Sequence, residues 1–185
     1  MKIQAIKNAI TLLGKFKDLK RTGWKKRQVE QPESDAEHSF SLALLVMLTV
    51  PSELNRQKCL EMALIHDLAE IYAGDLTPDD AVAPKEKNRL EMQAMKRISQ
   101  ELSTPYLEEL FSEFEAQEAP EARFVKALDK LDTVLTACYY DQNKRSPVEL
   151  LPEFSAYAQK CLSKADTDEV RLVKNMFYQI VEKKS

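Results

Sequence analysis

Ala63-Leu64-Ile65-His66-Asp67-Leu68-Ala69-Glu70 is the stretch from which the fold can be read. It lies in a run from Asn55 to about Tyr72 whose apolar residues, among them Cys59, Leu60, Met62, Ala63 and Ile65, fit one helix, with Gly74 as a left-handed stop. On a helix, His66 and Glu70 are four apart and Asp67 and Glu70 three apart, so each pair meets on one face. His66 and Asp67 project about 100° apart, and both can grip an ion lodged against that side. One imidazole with carboxylates suits a divalent ion such as Mn²⁺, Co²⁺, Fe²⁺ or Zn²⁺. Taken alone, the dipeptide is better read as a buried histidine capped by a neighbouring acid.

Upstream, Ser34-Asp35-Ala36-Glu37 reads as a capping box that opens a helix stopped by Pro51. The chain's other histidine, His38, falls in the first turn of that helix, just before Phe40, Leu42, Leu44, Leu45 and Met47. The helix dipole discourages imidazolium there, and neutral imidazole is the form that binds metal. Before it, Arg21-Thr22-Gly23-Trp24-Lys25-Lys26-Arg27 is a basic loop holding the only tryptophan. Either it is a solvated loop with a Trp lid, or it binds an anion, with Arg21 as a fork for phosphate and Trp24 as a face for a base or sugar. The N-terminal segment carries Ile3, Ile6, Ile10, Leu13, Phe16 and Leu19 at helical spacing, an amphipathic helix.

Downstream, residues 75–84 form a Pro- and Asp-rich loop suited to be a lid, and residues 84–102 a heavily charged helix. Thr104-Pro105 opens a helix as N-cap and first residue. Pro120 opens another, with Phe124, Val125, Leu128, Leu131, Leu135 and Cys138 as its apolar stripe. Asp129 sits among those apolar positions, either paired to Lys126 or Lys130 or held near the core as a fourth ligand. After a polar loop at 141–147 come helices at 152–162 and 166–181, the second opened by an Asp166-x-x-Glu169 box. No strand-like alternation or repeat is visible. The expected fold is all-α, one domain over 1–185 of six to eight helices, with a metal-binding core at about 12–140 and C-terminal helices at 150–183.

Composition narrows the function. The 185 residues carry 27 basic and 30 acidic side chains, net −3, which excludes a polycation that binds nucleic-acid polymers by charge. Three glycines leave no room for a phosphate-cradling Gly-rich loop. Cys59, Cys138 and Cys161 are odd in number and far apart, so they read as reduced thiols. No apolar run is long enough to span a membrane and no signal peptide is visible, so the expectation is a soluble cytoplasmic protein.

His38, His66-Asp67 and Asp129 lie on three expected helices, as metal sites of bundles do. With that pattern the chain resembles the HD-domain phosphohydrolases, whose signature is H…HD…D. It is more narrowly similar to the HD domain-containing protein 2 / 5′-deoxynucleotidase family. Carrying that likeness are Arg21-Thr22-Gly23-Trp24, Pro32-Glu33-Ser34-x-Ala36-Glu37-His38-Ser39 and His66-Asp67-Leu68-Ala69-Glu70. Further blocks are Gly74-Asp75-Leu76-Thr77-Pro78, Lys85-Glu86-Lys87 with Glu91 and Ala94-Met95-Lys96, and Leu128-Asp129-Lys130, so the likeness spans roughly 12–140.

The resemblance implies metal-dependent hydrolysis of deoxyribonucleoside 5′-monophosphates by a homodimer. It implies His38, His66, Asp67 and Asp129 as metal ligands, with Asp132 the competitor for the fourth position. Glu70 matches the acid handling the water or leaving-group proton, Asp75 the residue near the sugar, and Arg21 and Trp24 the substrate-binding loop. Asp35 departs from it, standing where the family usually has an apolar residue. The competing expectations are an HD phosphodiesterase, a (p)ppGpp-type pyrophosphohydrolase, which would need a more basic pocket, and a metal-dependent nucleotide sensor without turnover. The apolar positions after 141 (Phe154, Tyr157, Leu162, Val170, Val173, Phe177, Ile180) exceed what one small core needs, which also favours a dimer.

Overall fold

The longest helix, α8 (Pro120–Gln142), is the axis of the computed structural model, which describes residues 2–182. Before it come α1 (Lys2–Asp18), α2 (Thr22–Lys26), α3 (Asp35–Thr49), α4 (Arg56–Ile65), α5 (Glu70–Ala73), a 3₁₀ turn (Pro78–Asp80), α6 (Pro84–Leu102) and α7 (Tyr106–Ala116). After it come α9 (Leu151–Leu162) and α10 (Asp168–Glu182). Helices α3, α4, α7, α9 and α10 all pack on α8. The described residues contain no strand, only an isolated bridge between Lys20 and Ser34. The all-α expectation holds, and eight of these helices have ten or more residues. No helix is long and apolar enough to cross a membrane, among the described residues.

α8 earns its place by burying Phe124, Val125, Leu128, Leu131 and Val134 on one side. Each such side chain contributes about 1.5–3 kcal/mol when fully buried. They join one apolar cluster that runs from Leu12 in α1 to Phe177 in α10. Asp141 near the end of α8 accepts the backbone N–H groups of Leu150 and Leu151, so one carboxylate caps the start of α9.

Four expectations are corrected. The helix expected from Asn55 to Tyr72 ends at Ile65, and residues 66–69 form a tighter turn with Leu68 N–H on Ile65 O and Glu70 N–H on Asp67 O. The segment 22–26, read as loop, is a short helix. Gly74 does have positive φ, but its φ of 81° with ψ of 152° is an extended glycine conformation and not the left-handed helical stop. The last helix starts at Asp168, and its first turn is tied by Thr167 Oγ1 to Glu169, whereas Asp166 pairs with Arg171.

The apolar surplus also lies elsewhere than expected. Leu162, Val170, Val173 and Phe177 are consumed by the chain's own core, and Phe154 packs on Trp24. In α1 the buried residues are Leu12 and Phe16, whereas Ile3, Ile6, Ile10 and Leu13 face out. On the adjacent α3, Phe40, Leu44, Met47 and Leu48 are exposed as well.

Candidate active site

The site is assembled where the first turn of α3, the turn after α4 and the middle of α8 meet. Ser34 caps α3 by accepting Glu37 N–H, and Glu37 reaches back to Ser34 N–H, which pins the first turn. The Lys20–Ser34 bridge, with Arg21 N–H on Glu33 O and Asp35 N–H on Leu19 O, then lays Arg21 across that turn.

His38 is fully buried, and its Nδ1 is 2.7 Å from Asp132 Oδ2. A neutral imidazole therefore donates Nδ1–H to that carboxylate and keeps its Nε2 lone pair free. His66 is oriented the same way, with Nδ1 2.9 Å from Ala63 O. The two free Nε2 atoms consequently face each other at 3.2 Å. Asp129 Oδ1 stands 3.2 Å from His38 Nε2, and Asp67 Oδ2 3.1 Å from His66 Nε2 and 3.7 Å from His38 Nε2.

Four acceptors aimed at one point repel unless something positive lies between them. Ligands around an ion with bonds of about 2.1 Å stand roughly 3.0–3.4 Å apart, close to these separations. Two imidazoles with a carboxylate fit a divalent ion: one ligand atom each from His38, His66 and Asp129 lie within 4.8 Å of one another, and Asp67 stands beside them. Asp129 faces the cluster, whereas Asp132 stands behind His38, bonded to its Nδ1.

The charges explain the protonation of the ion-free cluster. Burial and Arg21 push the His38 imidazolium down, but bonds to Asp129 and Asp132 outweigh them and raise it to about 10. Burial likewise works against ionised Asp67 and Asp129. His66 and Arg21 nevertheless hold Asp67 well below the usual carboxylate range, and Lys130 and His38 do the same for Asp129. A divalent ion held at His38 Nε2 would have to compete with protonation of that imidazole.

Beside this cluster lies a second, acidic one. One oxygen each from Asp35, Glu70 and Asp75 come within 4.8 Å of one another. Burial raises Asp35 to about 7 and Glu70 well above its ordinary value, and Asp67 adds to both. Asp75 Oδ2 accepts Thr22 N–H, which ties the 75–84 loop to α2. Lys26 adds bonds to Thr77 Oγ1 and Asp80, and Arg27 bridges Asp79 to Glu153 of α9.

A cavity of about 760 Å³ opens from these clusters, a volume ordinary for a small-molecule site. Arg21 reaches it with Nη1 bonded to Asp67 at 2.7 Å. Trp24 belongs to its wall but is only 1% exposed, donating Nε1–H to Glu33 and packed against Tyr140 and Phe154. The aromatic side chains lining the cavity from α9 are Phe154 and Tyr157. Lys87 of α6 and Lys130 of α8 bring further positive charge, Lys130 with Nζ 2.8 Å from Asp129. None of these four was singled out from the sequence as a site residue. Only the pairing of Lys130 with Asp129 had a signal there, from adjacency.

Comparison with known proteins agrees with this geometry. The family model described as "HD domain" matches residues 13–170, thirty residues beyond the expected limit at 140. The chain is 39% identical over 154 residues to the 5′-deoxynucleotidase HDDC2 of Mus musculus, covering 82% of this chain and 77% of that one. Among solved structures, the PH0347 protein from Pyrococcus horikoshii OT3 superimposes with a TM-score of 0.76 at 28% identity, covering 95% of this chain and 97% of that one. The cyanophage S-2L HD phosphohydrolase DatZ, bound to dA and one catalytic Zn²⁺ ion, gives 0.62 at 25% identity, covering 94% and 96%.

Proposed function

The chain belongs to the HD-domain family, and on that premise we propose that it is a metal-dependent 5′-deoxynucleotidase. It converts deoxyribonucleoside 5′-monophosphates to deoxynucleoside and phosphate. The observation that carries this is the pair of Nε2 atoms 3.2 Å apart, each with its Nδ1 already engaged, facing two carboxylates at the end of a nucleotide-sized cavity. The relatives named 5′-deoxynucleotidase support the substrate, and the dA-bound neighbour supports a deoxynucleoside in such a cavity.

His38, His66, Asp67 and Asp129 hold the ion, which is Mn²⁺, Co²⁺, Fe²⁺ or Zn²⁺ on the chemistry of its donors. Bound there, the ion supplies Lewis acidity to the phosphate and acidity to the attacking water. Glu70, lining the cavity next to the acidic cluster, positions water or protonates the departing 5′-oxygen. Arg21 binds the phosphate through whatever part of its fork Asp67 leaves free. Asp75 reads the sugar hydroxyls, and Trp24 supports the wall behind Phe154. A site built around a hydroxyl pattern discriminates more sharply than an apolar one.

Residues 1–185 act as a single HD domain in the cytoplasm, with no membrane or nucleic-acid partner. The exposed apolar residues of α1 and α3 form the face on which a second copy packs, since a contiguous patch of this kind marks an association surface.

Phosphate release from dAMP, dCMP and dTMP, measured beside cAMP and ppGpp with an added divalent ion, tests the activity. Turnover of the three monophosphates is expected. Turnover of cAMP or ppGpp alone would make the chain a phosphodiesterase or pyrophosphohydrolase, and nucleotide binding without turnover would make it a sensor.

A further inference from the structure

We propose that Glu33 is a positioning residue for phosphate binding, setting the Arg21 fork and the seat of Trp24 from behind the cavity wall. The role rests on the reading of Arg21 as the phosphate ligand. Arg21 and Trp24 line the active cavity, whereas Glu33 stands outside it in the segment before α3. Its main chain is fixed from both sides. The Glu33 N–H donates to Tyr140 Oη of α8 at 2.9 Å, and the Glu33 carbonyl accepts Arg21 N–H at 3.1 Å.

The side chain of Glu33 is only 12% exposed and serves two neighbours. Its Oε1 accepts Nε1–H of Trp24 at 2.9 Å and lies 3.8 Å from Arg21 Nε. Burial raises the Glu33 carboxyl, and His38, Arg21 and the Trp24 N–H work against that rise. Trp24 in turn backs Phe154 of the cavity wall, with ring centroids 4.3 Å apart. One carboxylate therefore ties the phosphate end of the cavity to its aromatic wall.

A guanidinium is a planar plate with its donors in a rigid fork, so what holds its edges sets where the remaining donors point. Three carboxylates come within 4.0 Å of this plate: Asp67 at Nη1, Asp35 at Nη1 and Glu33 at Nε. Asp67 is claimed by the metal centre, and Asp35 belongs to the acidic cluster. Glu33 is the acid with no other charge to serve, and it holds the Nε edge. Nη2 makes no bond to the described residues and is left for the phosphate.

Inorganic phosphate titrated calorimetrically into Mn²⁺-loaded protein tests this, with the emission of Trp24, the only tryptophan, read in parallel. Glu33→Gln keeps an acceptor for Trp24 Nε1–H and removes the charge beside Arg21. Phosphate should then bind about tenfold more weakly, with Trp24 emission as in the wild type. Glu33→Ala removes both contacts, so its emission should shift as well; an unshifted emission there would overturn the seat of Trp24. In an Arg21→Ala background Glu33→Gln should cost no further affinity. Equal weakening by Glu33→Gln with and without Arg21 would overturn the positioning role, because the carboxylate would then act through the fold and not through the fork. Wild-type affinity in Glu33→Gln beside a weakened Arg21→Ala would overturn it too, and would leave Arg21 standing as the phosphate ligand. Wild-type affinity in Arg21→Ala would remove that ligand and the role of Glu33 with it.

Discussion

The histidine cluster and the acidic cluster are neighbours, and they are built on opposite plans. In the first, three side chains are aimed by a partner behind them, Asp132 on His38 Nδ1, Ala63 O on His66 Nδ1 and Lys130 on Asp129 Oδ2, while Arg21 bonds the Asp67 oxygen that faces the imidazoles. In the second, neither carboxylate oxygen of Asp35 has a hydrogen-bond partner and Glu70 leaves one oxygen bare. Pre-aimed ligands bind one ion in one place at little reorganisation, which is what chemistry on a phosphate requires. Bare buried acids instead destabilise the protein until a cation or proton reaches them. The difference can be broken or sharpened by substitution.

The largest effect should come from the aimed cluster. His66→Ala and Asp67→Ala should each bring phosphate release down to background with helicity near wild type, because a ligand is lost and the apolar core is not. Metal-dependent activity surviving in either variant would remove the assignment. Next comes Asp132→Ala, which deletes an orienting partner and leaves the ligands in place. Loss of such a partner is worth about 10–100-fold in metal affinity. A metal titration showing Asp132→Ala as damaging as Asp129→Ala would mean that the two acids have been given the wrong roles.

Arg21 touches both clusters. Arg21→Ala should lower kcat/KM about ten- to hundredfold for every nucleotide alike, the ~1.5–3 kcal/mol of a hydrogen bond to a charged group. Arg21→Lys should recover only part, since an ammonium is no fork.

The smallest effect lies in the stability of ion-free protein. Asp35 keeps its proton to about 7 against an ordinary 3.8, so between those values the folded state binds a proton that the unfolded state has released. Stability must therefore fall as pH rises through that window. Glu70, raised by burial, has the same sign, and His38, at about 10 against 6.5, continues the fall at higher pH. Asp67 and Asp129, both depressed, lose their contribution only on the acid side of 3.8. Ion-free Asp35→Val should melt higher than wild type at pH 8, by on the order of 1–3 kcal/mol. An equal or lower melting temperature would show that the buried acid is compensated in some other way.

These contrasts also mark how far the sequence could be read. Helix periods, the Ser34–Glu37 box and the prolines at 84 and 120 are local features, and α3, α6 and α8 appear where those features place them. The H…HD…D pattern pointed to the aimed cluster because its spacing survives folding. The tight turn at 66–69 was hidden, since its bonds compete with a helix that the residues also favour. The outward face of α1 was hidden because periodicity finds a stripe without saying which side meets the core. Lys87, Phe154 and Tyr157 reach the cavity only through the packing of α6 and α9, which no local pattern encodes. Asp35 is marked in the sequence only as an acid where the resemblance implies an apolar residue, and the burial of its two unpartnered carboxylate oxygens is visible only in the fold.

Anomalous diffraction from crystals of the Co²⁺-loaded protein tests the central claim most directly. The account predicts a peak within bonding distance of His38 Nε2, His66 Nε2, Asp67 and Asp129, with Asp132 still on His38 Nδ1. Loaded crystals without a peak between the two imidazoles, or with Asp132 as the ligand in place of Asp129, would contradict it.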